Sequence, residues 1–496
     1  MALTILNVLS EHAQNTPNKT ALISERETLT YAEFWKEITK CAQYLTKIGL
    51  QRGDMVLMKA AQSPNYLISY YSVQLAGGIP CAVERNTPSS TVIATAKKMD
   101  AKYVITEGKS PSKLPTSMQF FSMRKLRADA AQENTDGIPI VFPKDTDLQL
   151  IMFTTGTTGA SKGVKLSFRA MQASEEKIAD FTHMPRFRDK GMFITPTPLN
   201  HAKGIWETGG MLRTGGTVYI LRGLLDLRLY FKALDYPCEK VLLSLVPANL
   251  RMLISMVPQE LEKRADKIGG IKLGTAPLLE HDKDEIMKLL PHTELHNPYG
   301  SSEGGILCNY MFNEYPNMPY CIGKALKGTE VLVLDDDRNP IVSSPSNMGK
   351  LAFRSNSVMD GYYGEPELTA QILQDGVIYT NDYGYVDENG FVFVRGRADD
   401  VINFGGLKVA PDEVEQEAIA VPNVADCICI ATEDEVMGSG LKLLVVMKEK
   451  GTMNPAEIRN ILSKKLESYK VPKVYEEVDE IARTYNGKLN RKFYRH

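Results

Sequence analysis

The sequence predicts an α/β protein: a large N-terminal domain of helix-flanked β-sheets with a β-rich subdomain, then a small mobile α+β domain. Three observations carry this. Apolar runs alternate with helical patterns over the first part of the chain, a Gly-, Pro- and Asp-rich texture runs from Cys321 to Phe393, and helix and strand signals return beyond Arg397. At 496 residues and 43% hydrophobic content the chain is too long for a single core. We expect residues 1–397 to form the first domain and residues 398–496 the second, joined at a short hinge within "VRGRADDVINFGG".

Each element has a local reason. In "LTYAEFWKEITKCAQYLTKIG", Thr30 and Glu33 stand three apart like a capping box. Phe34, Ile38, Cys41 and Leu45 then recur at helical spacing, and Gly49 stops the run. The apolar runs 149–153 and 240–246 read as buried strands and 282–290 as a helix, so largely parallel sheets are expected. Turn-rich stretches such as "LVLDDDRNP" and "DENGFVFV" mark the β-rich part. In the last hundred or so residues Asn454 is a candidate N-cap, with Pro455 at the first helical position. Ile458, Ile461, Leu462 and Leu466 supply its apolar face.

Composition narrows the function classes. Fifty-eight basic and sixty acidic side chains give a formal charge of −2, and without a long basic tract nucleic acid is not an expected partner. No apolar run approaches the roughly 18 residues of a membrane span, and the opening "MALTILNVLSEHAQN" has no basic leader, so a cytoplasmic location is expected. Seven cysteines show no metal-like pairing; Cys427 and Cys429 alternate as on a strand and read as reduced core thiols.

The chemistry begins at "IMFTTGTTGASKGVKLS", residues 151–167. Gly156, Gly159 and Gly163 let backbone N–H groups approach an anion, Thr154, Thr155, Thr157 and Thr158 add hydroxyl donors, and Lys162 adds a charge. Polyphosphate is the guest that such a loop suits. A Walker loop requires GxxxxGK[ST], and the spacing here fails that pattern.

The stretch resembles the phosphate loop of the adenylate-forming superfamily, which includes acyl- and aryl-CoA synthetases, with Ser161 where proline is usual. Further motifs follow in family order. "NPYGSSEGG" resembles the segment that holds adenine and magnesium, implying cofactor roles for Asn297, Tyr299, Gly300 and Ser302, a metal-binding and catalytic role for Glu303, and a substrate role for Gly304. "YTNDYG" is similar to the ribose motif, with Asn381 in place of glycine and Asp382 as the binding acid. "VRGRADDVINFGGLK" resembles the hinge, with Arg397 near ribose and phosphate, Asp399 at the pivot, and Gly405, Gly406 and Lys408 facing CoA. "RTYNGKLNRK" resembles the end motif and implies that Lys488 is the catalytic lysine.

Two segments resemble the acid site. "PLNHAKGIWE" implies that His201 gates it and that Trp206 lines it, core packing being the alternative for the tryptophan. "GTAPL" implies that Gly274, Thr275 and Ala276 lie between acid and adenine. Without an aspartate in the gating segment an uncharged aryl or aliphatic acid is expected, while Lys203 and Arg213 leave open a cation for a second carboxylate.

The resemblance implies an AMP-forming carboxylic acid:CoA ligase using ATP, Mg2+ and CoA. It works in two steps through an acyl-adenylate, with rotation of the small domain between them. Transfer to an acyl carrier protein's pantetheine thiol is one alternative, and a non-catalytic acyl- or nucleotide-binding module is another.

Overall fold

The computed structural model describes residues 3–134, 140–155, 161–223, 226–274, 278, 280–404, 407–434, 438–483 and 489–494. The chain forms two compact units, Met1–Val331 with Phe353–Ile378, and Leu332–Ala352 with Tyr379–His496. The expected boundary after residue 397 therefore falls inside the second unit. Strand Val377–Val386 pairs antiparallel with Phe391–Arg397 and sets Asp382 opposite Arg397.

In the first unit one sheet runs in the order Gln119–Ser122, Tyr103–Thr106, Met55–Lys59, Ile79–Ala82, Leu148–Thr155, Ser161–Ser167. It is parallel up to Leu148–Thr155, which turns back as an antiparallel hairpin into Ser161–Ser167. A second sheet places Thr20–Ile23, Val218–Ile220, Gly191–Thr195, Lys240–Ser244, Ile268–Lys272 and Glu294–Ser301 side by side, all parallel. Strand Gly305–Met311 then closes that run antiparallel to Glu294–Ser301. The largely parallel expectation holds, and with it the continuous apolar runs that two covered faces demand.

Helix Tyr31–Lys47 starts with the capping box read from the sequence: the Thr30 hydroxyl accepts from the Glu33 N–H, and the Glu33 carboxylate accepts from the Thr30 N–H at 2.8 Å. Phe34, Ile38, Cys41 and Leu45 are all buried. Helices Pro64–Leu75 and Ala202–Arg213 bury nearly every side chain, the mark of helices enclosed on all sides, whereas Phe168–Phe181 keeps Arg169, Glu176 and Asp180 exposed on one face.

The second unit contains a three-stranded sheet of Val424–Asp434, Gly438–Met447 and Val474–Glu477, with helices Pro411–Ile419 and Pro455–Leu462. The Asn454 side chain caps the second helix at the Glu457 N–H, and Ile458, Leu462 and Leu466 join Cys427 and Cys429 in the core. All seven cysteines are free thiols, six of them buried. Among the described residues no helix is long and apolar enough to cross a membrane.

Thr30→Ala removes one member of the capping box and is expected to cost about 1 kcal/mol of stability, read as a lower thermal midpoint. Thr30→Ser should restore most of it; an unchanged midpoint in the alanine variant would show the cap to be idle.

Candidate active site

The glycine- and threonine-rich loop joins two paired strands. Backbone pairing runs out to Thr154 with Lys162 and Thr155 with Ser161. Gly156, Thr157, Thr158 and Gly159 lie outside the described residues, as do Thr275, Ala276, Gly405, Gly406 and Lys488; Thr154, Thr155 and Lys408 are described by their backbone alone. What can be built is the framework that carries the loop.

A second tight turn carries Glu303. Strands Glu294–Ser301 and Gly305–Met311 pair closely enough to place Ser301 opposite Gly305, and the Ser301 hydroxyl accepts from the Gly304 N–H at 3.0 Å. Gly305 has φ +71°, and a Cβ there would stand 2.5 Å from Ser357 Oγ. No other residue type fits both the dihedral and the space.

The stretch 355–363 fastens the two turns together. Met359 N–H donates to the Glu303 carbonyl at 2.8 Å, and the Tyr362 hydroxyl donates to the Glu303 carboxylate at 2.9 Å. On its other side this stretch runs along Ser161–Ser167, with Lys165 N–H donating to the Gly361 carbonyl and Tyr363 N–H to that of Gly163. The Lys162 ammonium lies 5.4 Å from the centre of the Tyr362 ring, within cation–π range. One tyrosine thus touches both the loop lysine and the acid of the second turn.

Behind the turns lies Lys177, buried on helix Phe168–Phe181. Its ammonium donates to Ser355 Oγ at 2.8 Å, Thr329 Oγ1 at 2.9 Å, and Ser357 Oγ and the Ile306 carbonyl at 3.1 Å: four acceptors for three protons. Ser357 in turn donates to the Gly304 carbonyl at 3.0 Å. Burial pushes the Lys177 pKa down to about 8. Neither Lys177 nor Tyr362 stands out in the sequence, because both act through partners far away along the chain.

Tyr299 is half-buried, its ring tilted against Phe353 at 5.6 Å between centroids, and Ser302 and Asn297 are half-buried beside it. Asn297 Oδ1 is buried and accepts no hydrogen bond among the described residues, an acceptor of the kind a ligand donor satisfies. Gly300 leads into the Glu303 turn and Gly304 is buried within it. Among the described residues no group of three or more His, Cys, Asp or Glu gathers around one point. A lone half-buried carboxylate suits Mg2+ arriving with phosphate oxygens, which needs one or two protein carboxylates rather than a cage.

At the acid segment, His201 occupies the N-cap position of helix Ala202–Arg213 without a side-chain capping hydrogen bond and is exposed, with Nε2 3.8 Å from Glu84 Oε1. Trp206 is buried, and its indole N–H donates to Met171 Sδ at 3.0 Å on the neighbouring helix. That contact is the packing alternative for this residue. Arg213 forms an ion pair with the buried Glu175 at 2.8 Å. Lys203 lies beside Gly274, its Cε 3.6 Å from where a Cβ on that glycine would stand.

In the second unit Arg397 Nη1 lies 3.5 Å from Asp382 Oδ1, and the Asp382 N–H donates to Thr380 Oγ1 at 3.1 Å. Asp399 is exposed on the short turn Ala398–Asp400. The adjacent Asp400 faces Arg491 at 3.4 Å, and that arginine also grips Asp412 and Glu415.

Comparison with known proteins identifies the family. The model of the AMP-binding enzyme family matches residues 9–363, and that of the AMP-binding enzyme C-terminal domain matches residues 413–488. The chain is 27% identical over 532 residues to the long-chain-fatty-acid–CoA ligase of Bacillus subtilis, covering 99% of this chain and 93% of that protein. It is also 27% identical over 501 residues to the fatty acid–[acyl-carrier-protein] ligase ScoC of Streptomyces coeruleorubidus, covering 99% and 95%. The crystal structure of ATP-bound MatB from Rhodopseudomonas palustris superposes with a TM-score of 0.86 at 23% identity over 99% of both chains.

Two outcomes follow from the geometry. Gly305→Ala drives a methyl into Ser357, so nucleotide-dependent turnover is expected to fall at least about tenfold; turnover within a factor of two would show that the turn tolerates a side chain. For Lys177, the folded pKa of about 8 lies below that of a free lysine. Between the two values the unfolded chain binds more protons, so this residue's contribution to stability rises with pH and is lost as pH falls through 8. Denaturation between pH 7.5 and 9.5 should therefore show roughly a steeper rise for the native chain than for Lys177→Met; parallel curves would contradict it.

Proposed function

The chain belongs to the AMP-binding enzyme family, and from that premise we propose that it is an AMP-forming carboxylic acid:CoA ligase working in two steps through an acyl-adenylate. The observation that carries the reading is the coupling of Lys162 and Glu303 through Tyr362, which holds a phosphate-loop cation and a metal-type carboxylate in one framework.

The chemistry demands such a framework. A carboxylate is a poor electrophile, because its oxygens already carry the charge that a nucleophile would add. Its attack on the α-phosphorus of ATP makes a mixed anhydride and releases pyrophosphate, while negative charge grows on the phosphoryl oxygens. Glu303 would hold Mg2+, which supplies charge neutralisation at those oxygens. The N–H groups and hydroxyls of Thr154 to Gly159, the Lys162 ammonium and Ser302 answer the same demand, and so does Lys488 in the second unit. Tyr299 offers a face for adenine, with Asn297 Oδ1 an acceptor for its amino group. Asp382 accepts the ribose hydroxyls, with Arg397 as its partner.

His201 and Gly274 border the acid. In the second step the thiol of CoA displaces AMP, and we assign Gly405, Gly406 and Lys408 to the pantetheine, with Asp399 as the pivot between the two steps. No protein thiol is required, in keeping with cysteines that are free and mostly buried. Free thiols fit a reducing compartment, and we place the enzyme in the cytoplasm. ScoC, the relative that loads an acyl carrier protein, supports such a carrier as the alternative acceptor.

Pyrophosphate release from ATP and Mg2+ across a panel of acids tests the reading, with native chain, Glu303→Gln and Lys488→Ala compared. Each substitution is expected to lower release by about a hundredfold or more, and CoA should convert the native reaction to steady AMP and thioester. A stoichiometric adenylate that CoA does not discharge would favour the carrier protein. Release unaffected by both substitutions would overturn the assignment.

A further inference from the structure

Three adjacent parallel strands of the first unit, Gly191–Thr195, Lys240–Ser244 and Ile268–Lys272, end in Thr195, Ser244 and Lys272, all buried. The carboxyl ends of parallel strands are where α/β sheets place their ligands. Helix Ala202–Arg213 lays Lys203 and Glu207, one turn apart, over that rim. Lys203 Nζ donates to Glu207 Oε1 at 2.6 Å and to Ser244 Oγ, and Ser244 donates to Glu207 Oε2 at 2.6 Å. Lys272 Nζ donates to the same Glu207 Oε1, and Thr197 Oγ1 lies 2.8 Å from Ser244 Oγ.

The charges in this cluster do not balance. Glu207 is fully buried and, among the described residues, is the one carboxylate bonded to either lysine. Burial opposes its charge, yet the two ammoniums outweigh burial and hold its carboxyl below the usual range. His296, next to Lys272 in the strand pairing, adds no anion; burial lowers its pKa and keeps the imidazole neutral. Two lysines thus share one glutamate, leaving one surplus positive charge where solvent is nearly absent. An uncompensated buried charge costs several kcal/mol, and such a cost persists where a ligand relieves it. Of the two ammoniums, Lys203 retains slight exposure, 9% of its side chain, and is the one that borders Gly274 and follows His201 by two residues. Arg213, the other cation of this segment, is spent on Glu175.

We infer that the acid activated here carries a second carboxylate, which docks on the Lys203 ammonium and completes a two-lysine, two-carboxylate cluster. The inference rests on the adenylation reading and sharpens it: Lys203 sets specificity at the end of the substrate remote from the reacting carboxylate. The uncharged acid expected from the sequence is thereby replaced by a dicarboxylic one. Burial pushes the Lys203 pKa down to about 8 against the pull of Glu207, so the ammonium is still mostly charged near neutrality and gains from an anion beside it.

The test uses the full-length protein and matched acids that differ only in the distal group: hexanoate with adipate, octanoate with suberate, benzoate with terephthalate. Pyrophosphate release gives kcat/KM for the native chain and for Lys203→Met, which keeps the length of the stem and removes the charge. The native chain is expected to favour the dicarboxylate in at least one pair by about tenfold or more. In Lys203→Met that ratio should collapse toward one. Preference for the monocarboxylate in every pair overturns the inference while adenylation stands. An equal loss on both acids of a pair also overturns it, since Lys203 would then hold the reacting carboxylate. Release with no acid at all removes the adenylation reading and this inference together.

A second measurement guards against a folding defect. Lys203→Met leaves Glu207 and Lys272 as a one-to-one pair, so the thermal midpoint without ligand is expected to hold or rise. A fall of several degrees would make Lys203 a structural partner of Glu207 and overturn the inference.

Discussion

A single buried ammonium organises the catalytic half of the first unit. Lys177 gathers a carbonyl and three hydroxyls that belong to three separate stretches of chain, and one of those hydroxyls, on Ser357, reaches on to the backbone of the Glu303 turn. Because all its acceptors are neutral, the charge is offset by oriented dipoles alone, an arrangement that fails if any stretch moves away. The rigidity of the turn is thus inherited from a residue that touches no ligand. The same logic extends through Tyr362, which fixes Glu303 from the front as Lys177 fixes its loop from behind.

The first unit therefore handles buried charge in two ways. Around Lys177 every donor is met by the protein, and the result is a fixed scaffold. Around Lys203 the count among the described residues is one anion short, at the carboxyl ends of the strands beneath helix Ala202–Arg213. The contrast explains why one lysine reads as architecture and the other as recognition, though both lie on helices of the same unit.

Sequence patterns were legible where the physics is local. The capping box at Thr30, the cap at Asn454, the buried strand that leads into the threonine-rich loop and the core thiols Cys427 and Cys429 all depend on neighbours within a few residues or on simple alternation. Ordered motifs gave the family. What stayed hidden were pairings set by topology. Lys177 belongs to no motif, and its serine partners come some 180 residues later. Tyr362 lies in a stretch with no motif of its own, 59 residues past the carboxylate it binds. Trp206 points its N–H at a methionine on the next helix, which periodicity does not foresee. The pairing that sets Asp382 opposite Arg397 could not be recognised from either strand alone.

The long reach of Lys177 has a consequence for biosynthesis. The helix that carries it is complete at Phe181, but Ser355 and Ser357 are translated 178 and 180 residues after the lysine. At roughly 5–20 residues per second, that is a wait of about 10 to 35 s on the ribosome. Over that interval the Lys177 ammonium meets its acceptors one stretch at a time, Ile306 and Thr329 following the lysine by 129 and 152 residues and the two serines coming last. The chain also enters the second unit at Leu332 and returns at Phe353 before the first unit can close. The full set of contacts behind the Glu303 turn becomes possible only once Ser357 has been made, an order set by the sequence itself.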